Sequence, residues 1–324
     1  MKVSFFSRRA AKNAGWLVAG RILHMALAFL VNLLTARYLG PSNYGLVNYA
    51  ALYTAFFTSF ATLGLSSLLL KDFMDDPEGT GTTVGTAIAM RLLSSTLSAV
   101  SILAIVAAVD RGERLTMTVV ALYSMSLIFQ AFDTIQYWFQ SRLESKYATI
   151  ATSVGYIIVS FYKVLLLVLG KDVRWFAISN TIDYAVAAIV FLGLYKWRGG
   201  PRLHISPAKG RALLRQSGSF ILCGLMVSVY NCTDRFMLKH LLDEASVGYY
   251  ATATSLATVW TFVLSAIIDS ITPGIMQAHR TDQAQFVRHN RQLYALVFYF
   301  SVAVSAVITL LARPAVSLLY GEAY

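Results

Sequence analysis

Apolar runs long enough to cross a bilayer recur along the chain, and short polar breaks separate them. The period of roughly 25–30 residues fits spanning helices of about 20 residues joined by short loops. The pattern predicts nine complete spanning helices, over 14–36, 46–70, 82–109, 115–138, 148–169, 174–195, 217–240, 247–271 and 292–312. A tenth is expected after "ARPAVSLLYGEAY", where these 324 residues stop. The expected fold class is an all-α polytopic transmembrane bundle.

Composition agrees with the pattern. The chain is 57% hydrophobic and 13% charged, against about a quarter charged in an ordinary soluble domain. Its mean hydropathy is +0.60. The net charge of +11 would suggest nucleic acid in a soluble protein, but here the positive-inside bias accounts for it and no nucleic-acid partner is expected. With the N-terminus inside, the cytoplasmic segments 1–13, 71–81, 139–147, 196–216 and 272–291 hold sixteen Lys and Arg, against seven in the outer turns. That asymmetry predicts a multi-pass protein of the cytoplasmic membrane with a cytoplasmic N-terminus. The basic start precedes an apolar segment of spanning length, so no cleavable leader is expected. Cys223 and Cys232 fall on opposite faces of one helix and cannot pair.

The longest link, "KWRGGPRLHISPAKGRALLRQSGS" at 196–219, opens with a Gly-Gly-Pro break and continues as a basic amphipathic stretch. It reads as a hinge lying on the anionic inner leaflet. The expected organisation is a six-helix lobe over 1–195, a cytoplasmic linker over 196–216, and a second lobe over 217–324 cut short after the ninth helix. A weak internal repeat supports two lobes. At an offset of 203 residues, Gly15, Leu39, Gly45 and Ala50 meet Gly218, Leu242, Gly248 and Ala253. Six helices separate the copies, which makes the repeat parallel, about an axis along the membrane normal.

Several stretches carry a resemblance. "ARYLGPSNYG" after the first span, "YWFQSRLESKYATIA" at 137–151, "CTDRFMLKHLLDEASVGYYATA" at 232–253, "ITPGI" at 271–275 and "LLYGEAY" at the end resemble, in order and spacing, the polysaccharide-transport (O-antigen flippase-like) family. That family belongs to the multidrug, oligosaccharidyl-lipid and polysaccharide exporter superfamily. The resemblance implies a V-shaped two-lobed transporter. It would move polyprenyl-pyrophosphate-linked oligosaccharide from the inner to the outer leaflet for cell-surface polysaccharide synthesis. Polysaccharide polymerases or assembly proteins would be partners. Family members continue for several further helices.

Candidate site residues come from the polar positions inside spans, which by default face a cavity or a partner. In the first helix Arg21, His24, Ala28 and Asn32 share one face, and Arg supplies forked donors for pyrophosphate or sugar; Arg21 snorkelling to the inner interface is the plainer alternative. Arg91 in the third helix and Asn231, Asp234 and Arg235 in the seventh complete the expected substrate contacts, with a local charge pair or helix-interface contact as the alternative for Asp234 and Arg235. Lys163 and Asp183 lie at similar depth on hairpin partners. A structural ion pair is the favoured reading, and an ion-coupling site at Asp183 with Asn180 is the sharper one. Gly40 and Pro41 end one helix and start the next, Gly45 and Gly248 permit close packing, and Arg37 anchors the outer interface.

No cofactor or metal site is expected: His204, His240, His279 and His289 lack metal spacing. The acidic "DFMDDPEGTGTTVG" at 72–85 follows no strand, so it is not a nucleotide loop. Thr82 or Thr83 reads instead as the N-cap of the third helix. No nucleophile elbow or Cys/His pairing occurs, so an enzyme is not expected. Two rivals stay open. One is a small-molecule drug exporter of the same superfamily, disfavoured by four basic intramembrane residues against few acidic ones. The other is a membrane polymerase or ligase of glycan assembly, disfavoured by short outer loops.

Overall fold

The computed structural model describes the backbone of residues 8–258, 260–261, 263–264, 268 and 283–321, and side chains from Met25 onward, Ala26, Ser67 and Ala284 apart. Among these residues there are helices and turns and no strands. That is what lipid demands: a helix satisfies its own backbone donors and acceptors where no water can.

The helices are α1 (Arg8–Ala61), α2 (Ser66–Asp75), α3 (Thr80–Val109), α4 (Arg114–Ser124), α5 (Ser126–Gln130), α6 (Thr134–Ser141), α7 (Ser145–Val168), α8 (Val173–Trp197), α9 (Pro207–Leu241), α10 (Glu244–Thr258) and α11 (Gln283–Tyr320). Six described stretches are long and apolar enough to cross a membrane: Thr80–Val109, Arg114–Ser141, Ser145–Val168, Val173–Trp197, Pro207–Leu241 and Gln285–Tyr320. The expected spans 14–36 and 46–70 are the two arms of α1, which bends at Gly40 (φ 70°, ψ 171°). Only glycine adopts that φ without strain, and Pro41 then starts the second arm. The expected span 247–271 begins as α10, and "ITPGI" lies outside the described residues.

Three local expectations change. The third helix starts at Thr80, not beside a threonine cap. The Gly79 N–H donates to Asp76 Oδ1 (3.0 Å), and Thr83 Oγ1 donates to Asp72 Oδ2 (2.7 Å). The acidic run supplies the acceptors, so Thr83 has no capping to do. The fourth span is broken by a 3₁₀ turn at Ala131–Asp133. The last helix does not stop at 312; it runs through Pro314 to Tyr320, as spanning helices tolerate.

The chain forms two compact units, Met1–Gly248 and Tyr249–Tyr324. In the first, Leu65, Leu69, Val84, Ile135, Phe139 and Phe191 are fully buried within one apolar cluster. In the second, Trp260, Thr261 and Leu264 face Ser301, Ser305 and Thr309 of α11 across a cavity of about 260 Å³. Cys223 is exposed, Cys232 is buried, and both are free.

Candidate functional site

Three polar constructions sit in the unit Met1–Gly248. The first lies within the helices. Arg91 of α3 is buried, and its Nη1 donates to Thr134 Oγ1 at 3.1 Å. Asp133, the residue before, is its nearest opposite charge in electrostatic effect. Asp133 in turn feels Asp183 of α8, and Asp183 feels Lys163 of α7. Gly155 makes room on α7, since a Cβ there would stand 3.0 Å from Asp183 Oδ1. Tyr123 of α4 lies within electrostatic reach of both Asp183 and Arg235 of α9.

The structure thus brings Arg91, Lys163, Asp183 and Arg235 into one connected region around Asp133 and Tyr123. Lys163 and Asp183 interact without closing to an ion pair within 4.0 Å. Asn180 and Asp234 are half-buried, and the Asp234 carboxylate accepts from the Arg235 N–H at 2.8 Å. Asn231, Asn32 and Arg37 are exposed. The side chains of Arg21 and His24 lie outside the described residues. Arg91 Nε and Arg235 Nε are buried, and neither has a hydrogen-bond partner among the described residues. Each guanidinium therefore offers a donor that no described residue takes up.

The second construction is at the end of the unit that carries the Gly40 bend. The second arm of α1 and α9 run antiparallel and touch along their length. Gly64 meets Phe220, Ser59 Oγ meets Ser228 Oγ at 3.0 Å, and the Cys232 thiol approaches the Leu52 carbonyl. At the Gly40 end α1 crosses the start of α10, backbone against backbone. A Cβ on Gly45 would overlap the Glu244 carbonyl, and a Cβ on Gly248 would overlap the Pro41 carbonyl. Positions 41 and 244 are themselves one repeat offset apart, so the crossing is built by the two copies reciprocally. Around it Lys239 Nζ reaches Glu113 Oε2 and Glu244 Oε1, each at 3.0 Å. The Tyr49 hydroxyl meets Tyr53 (2.9 Å), Asp110 Oδ2 (3.0 Å) and His240 Nε2 (3.0 Å). Burial pushes the Asp110 carboxyl up from its ordinary value, against the Tyr49 hydrogen bond, which pulls it down. Glu113 is held below its ordinary value, chiefly by the Thr116 hydroxyl.

The third construction is at the opposite end. Residues 201–206 cross the start of α3 as an extended strap. His204 N–H donates to the Gly81 carbonyl (3.3 Å) and Ser206 N–H to Thr86 Oγ1 (3.0 Å). A Cβ on Gly81 would overlap the Arg202 carbonyl, and one on Gly85 the His204 carbonyl. Lys209 pairs with Asp72 at 2.8 Å, and Arg198 pairs with Glu144. The expected amphipathic stretch is the first turns of α9, begun by Ser206, whose hydroxyl accepts from the Lys209 N–H.

Reading the sequence missed Asp133, although a carboxylate inside an expected span is itself a signal. It also missed Tyr49, Asp110, Glu113, Lys239 and Glu244. The available signal was the pair of acidic residues in the turn Asp110 to Glu113, a segment weighed only for its basic residues.

A family model described as polysaccharide biosynthesis protein matches residues 10–279. Comparison with curated protein sequences gives no match. Among solved structures, the chain is similar to a multidrug resistance MATE family transporter of the MOP superfamily in its inward-facing conformation, at TM-score 0.71 and 16% identity, covering 92% of this chain and 73% of that one. An outward-facing structure of such a transporter gives 0.67 and 15%, covering 97% and 74%. A MOP superfamily transporter from Pyrococcus furiosus, described as having a binding pocket of reverse polarity, gives 0.65 and 16%, covering 96% and 74%. The polytopic helical fold, its spanning helices and the family match over most of the length lead to one conclusion: the chain belongs to the polysaccharide biosynthesis protein family and is a multi-pass membrane protein.

Proposed function

We propose that the protein is a flippase for polyprenyl-pyrophosphate-linked oligosaccharide, working by alternating access in the cytoplasmic membrane with its N-terminus inside. The observation that carries this reading is a polysaccharide-biosynthesis sequence family on an exporter fold. A lipid-linked glycan made on the inner face needs such a carrier before outer enzymes can use it. The lipid tail stays in the bilayer while the glycan crosses between the lobes 1–195 and 217–324, which rock about 196–216.

The free Nε donors of Arg91 and Arg235 suit an anionic diphosphate, with Arg21, His24, Asn32, Asn231 and Asp234 as further contacts. Asp133 and Asp183 balance part of this charge, and Lys163 and Asp183 hold each other in place. Coupling-ion binding at Asp183 and Asn180 is the alternative role for that pair. The Pyrococcus transporter is described as having a binding pocket of reverse polarity, so pocket charge varies on this fold and a basic pocket is compatible with it. No catalytic step is assigned to the chain. Assembly enzymes at the outer face, a polysaccharide polymerase among them, are the expected partners.

The test is leaflet accessibility of the lipid-linked glycan in a deletion strain. The expected result is glycan that accumulates and stays hidden from an outside probe until the membrane is breached. Glycan accumulating but reachable from outside would sink the flippase reading and favour a polymerase or ligase. In the complemented strain, Arg21→Ala and Arg235→Gln should lose export at normal membrane levels.

A further inference from the structure

The crossing at the Gly40 end contains an arrangement that packing alone does not require. Two glycines already bring α1 and α10 to backbone contact, yet the same few ångströms hold three ionisable groups on one phenol. An ionised Asp110 accepts only, so the Tyr49 O–H points to it and its lone pairs are left for Tyr53 and His240. That assignment puts the His240 proton on Nε2. Asp110 comes from the α3–α4 turn, Tyr49 from α1 and His240 from α9. Parting α1 from α9 breaks the chain of hydrogen bonds and puts the buried Asp110 carboxyl into water.

We propose that Asp110, Tyr49 and His240 form a proton-binding site that latches the outer gate of the carrier, the gate being the Gly45–Gly248 crossing. The proposal rests on the alternating-access reading above and adds its regulation. Among the described residues, the charged and titratable groups facing the site are Tyr49 and Tyr53 on α1, Asp110 and Glu113 on the α3–α4 turn, Lys239 and His240 on α9, and Asp243 and Glu244 at the start of α10. Lys239 is satisfied by Glu113 and Glu244, so the buried carboxyl left without a cation of its own is Asp110, held only by the Tyr49 hydroxyl.

The sign follows from burial. Desolvation raises the Asp110 carboxyl in the sealed arrangement, so the sealed gate holds a proton more tightly than a gate with Asp110 in water. Acid therefore closes the gate, and opening it sheds the proton to the outer face. A proton taken up from outside resets the emptied carrier.

The experiment places spin labels at Arg37→Cys and Leu242→Cys, both exposed, in the full chain lacking Cys223 and Cys232, in nanodiscs. Pulsed dipolar spectroscopy reads the separation at pH 5 and pH 8. The expected result is a single short distance at pH 5 and a second, longer population at pH 8. Each unit of pKa difference between the sealed and open gate changes their ratio by up to about tenfold. Asp110→Asn, which cannot ionise, should hold the short distance at both pH values, and His240→Gln should weaken the response. A distance distribution that ignores pH, or an Asp110→Asn variant that keeps the full response, would overturn the proposal. No glycan enters this measurement. A failed export assay with an intact pH response would therefore count against the flippase reading alone.

Discussion

The two ends of the unit Met1–Gly248 are tied by different kinds of bond. At the Gly199 end, an extended strap lies in glycine-lined contact with α3, and its ties include backbone N–H groups of His204 and Ser206. At the Gly40 end, the same glycine device sits at a helix crossing, and all the surrounding ties are side-chain charges and hydroxyls. Backbone ties hold at any pH. Side-chain ties respond to protonation, and ion pairs also to salt. The difference assigns a fixed end and a switching end to one helical body. A rocking carrier needs both.

The largest expected effect breaks the fixed end. Gly85→Leu puts a branched side chain where the His204 carbonyl lies, and overpacking of this kind costs about 3 kcal/mol at its upper range. The strap must lift, and the expected outcome is loss of monodisperse protein on size exclusion after mild heating. Gly45→Leu makes the same clash at the Gly40 end, but there the elements are built to part. That variant should stay folded and show the long spin-label distance at every pH. Equal loss of folded protein in both variants would erase the distinction between the ends.

Next in size is Lys239→Met. The Lys239 side chain is only 8% exposed, while its partners Glu113 and Glu244 are 43% and 28% exposed. The carboxylates left behind are partly hydrated, so the cost is about 1–2 kcal/mol rather than that of a fully buried charge. It should appear as a looser Gly40 end at pH 8. Glu113 adds a pH signature. Its folded value is depressed, so its contribution is present above the ordinary carboxylate range and lost as pH falls through that depressed value. Thr116→Val removes the main cause of that depression and should move the loss to higher pH, read by the same distances.

How much of this was legible beforehand follows from the kind of signal each feature leaves. Helical spans, the Gly40–Pro41 corner and the 203-residue repeat were readable because apolar length and the Gly-Pro corner are local properties. The reciprocal crossing of Gly45 and Gly248 was half readable. The offset paired the two glycines, but only coordinates show them touching across the copies. Asp110, Tyr49 and His240 lie 61 and 191 residues apart along the chain, and no spacing rule joins them. The Pro314 continuation was missed because proline ends helices in water more reliably than in lipid. Arg91 was found as a charge in a span, yet its partner Thr134 and neighbour Asp133 came from the 3₁₀ break in the fourth span, which hydropathy smooths over.

The smallest expected effects calibrate the comparison. Asp72→Asn removes the acceptor of Lys209 and weakens that of Thr83. Both charges are about a quarter exposed, so about 1 kcal/mol of heat resistance should go, with no change in pH response, because the strap keeps its backbone bonds. Arg174 and Asp172 stand 3.5 Å apart, each more than half exposed. Arg174→Ala should change stability by no more than about 0.3 kcal/mol and leave the spin-label distances unaltered at pH 5 and pH 8. Asp172 keeps its cap on the Val173 N–H without the arginine, so the start of α8 does not depend on the pair. A pH response altered by Arg174→Ala would mean that loose charge at the Gly40 end is enough to move the gate, and the specific role given to Asp110 and His240 would have to be surrendered to the field of the whole outer rim.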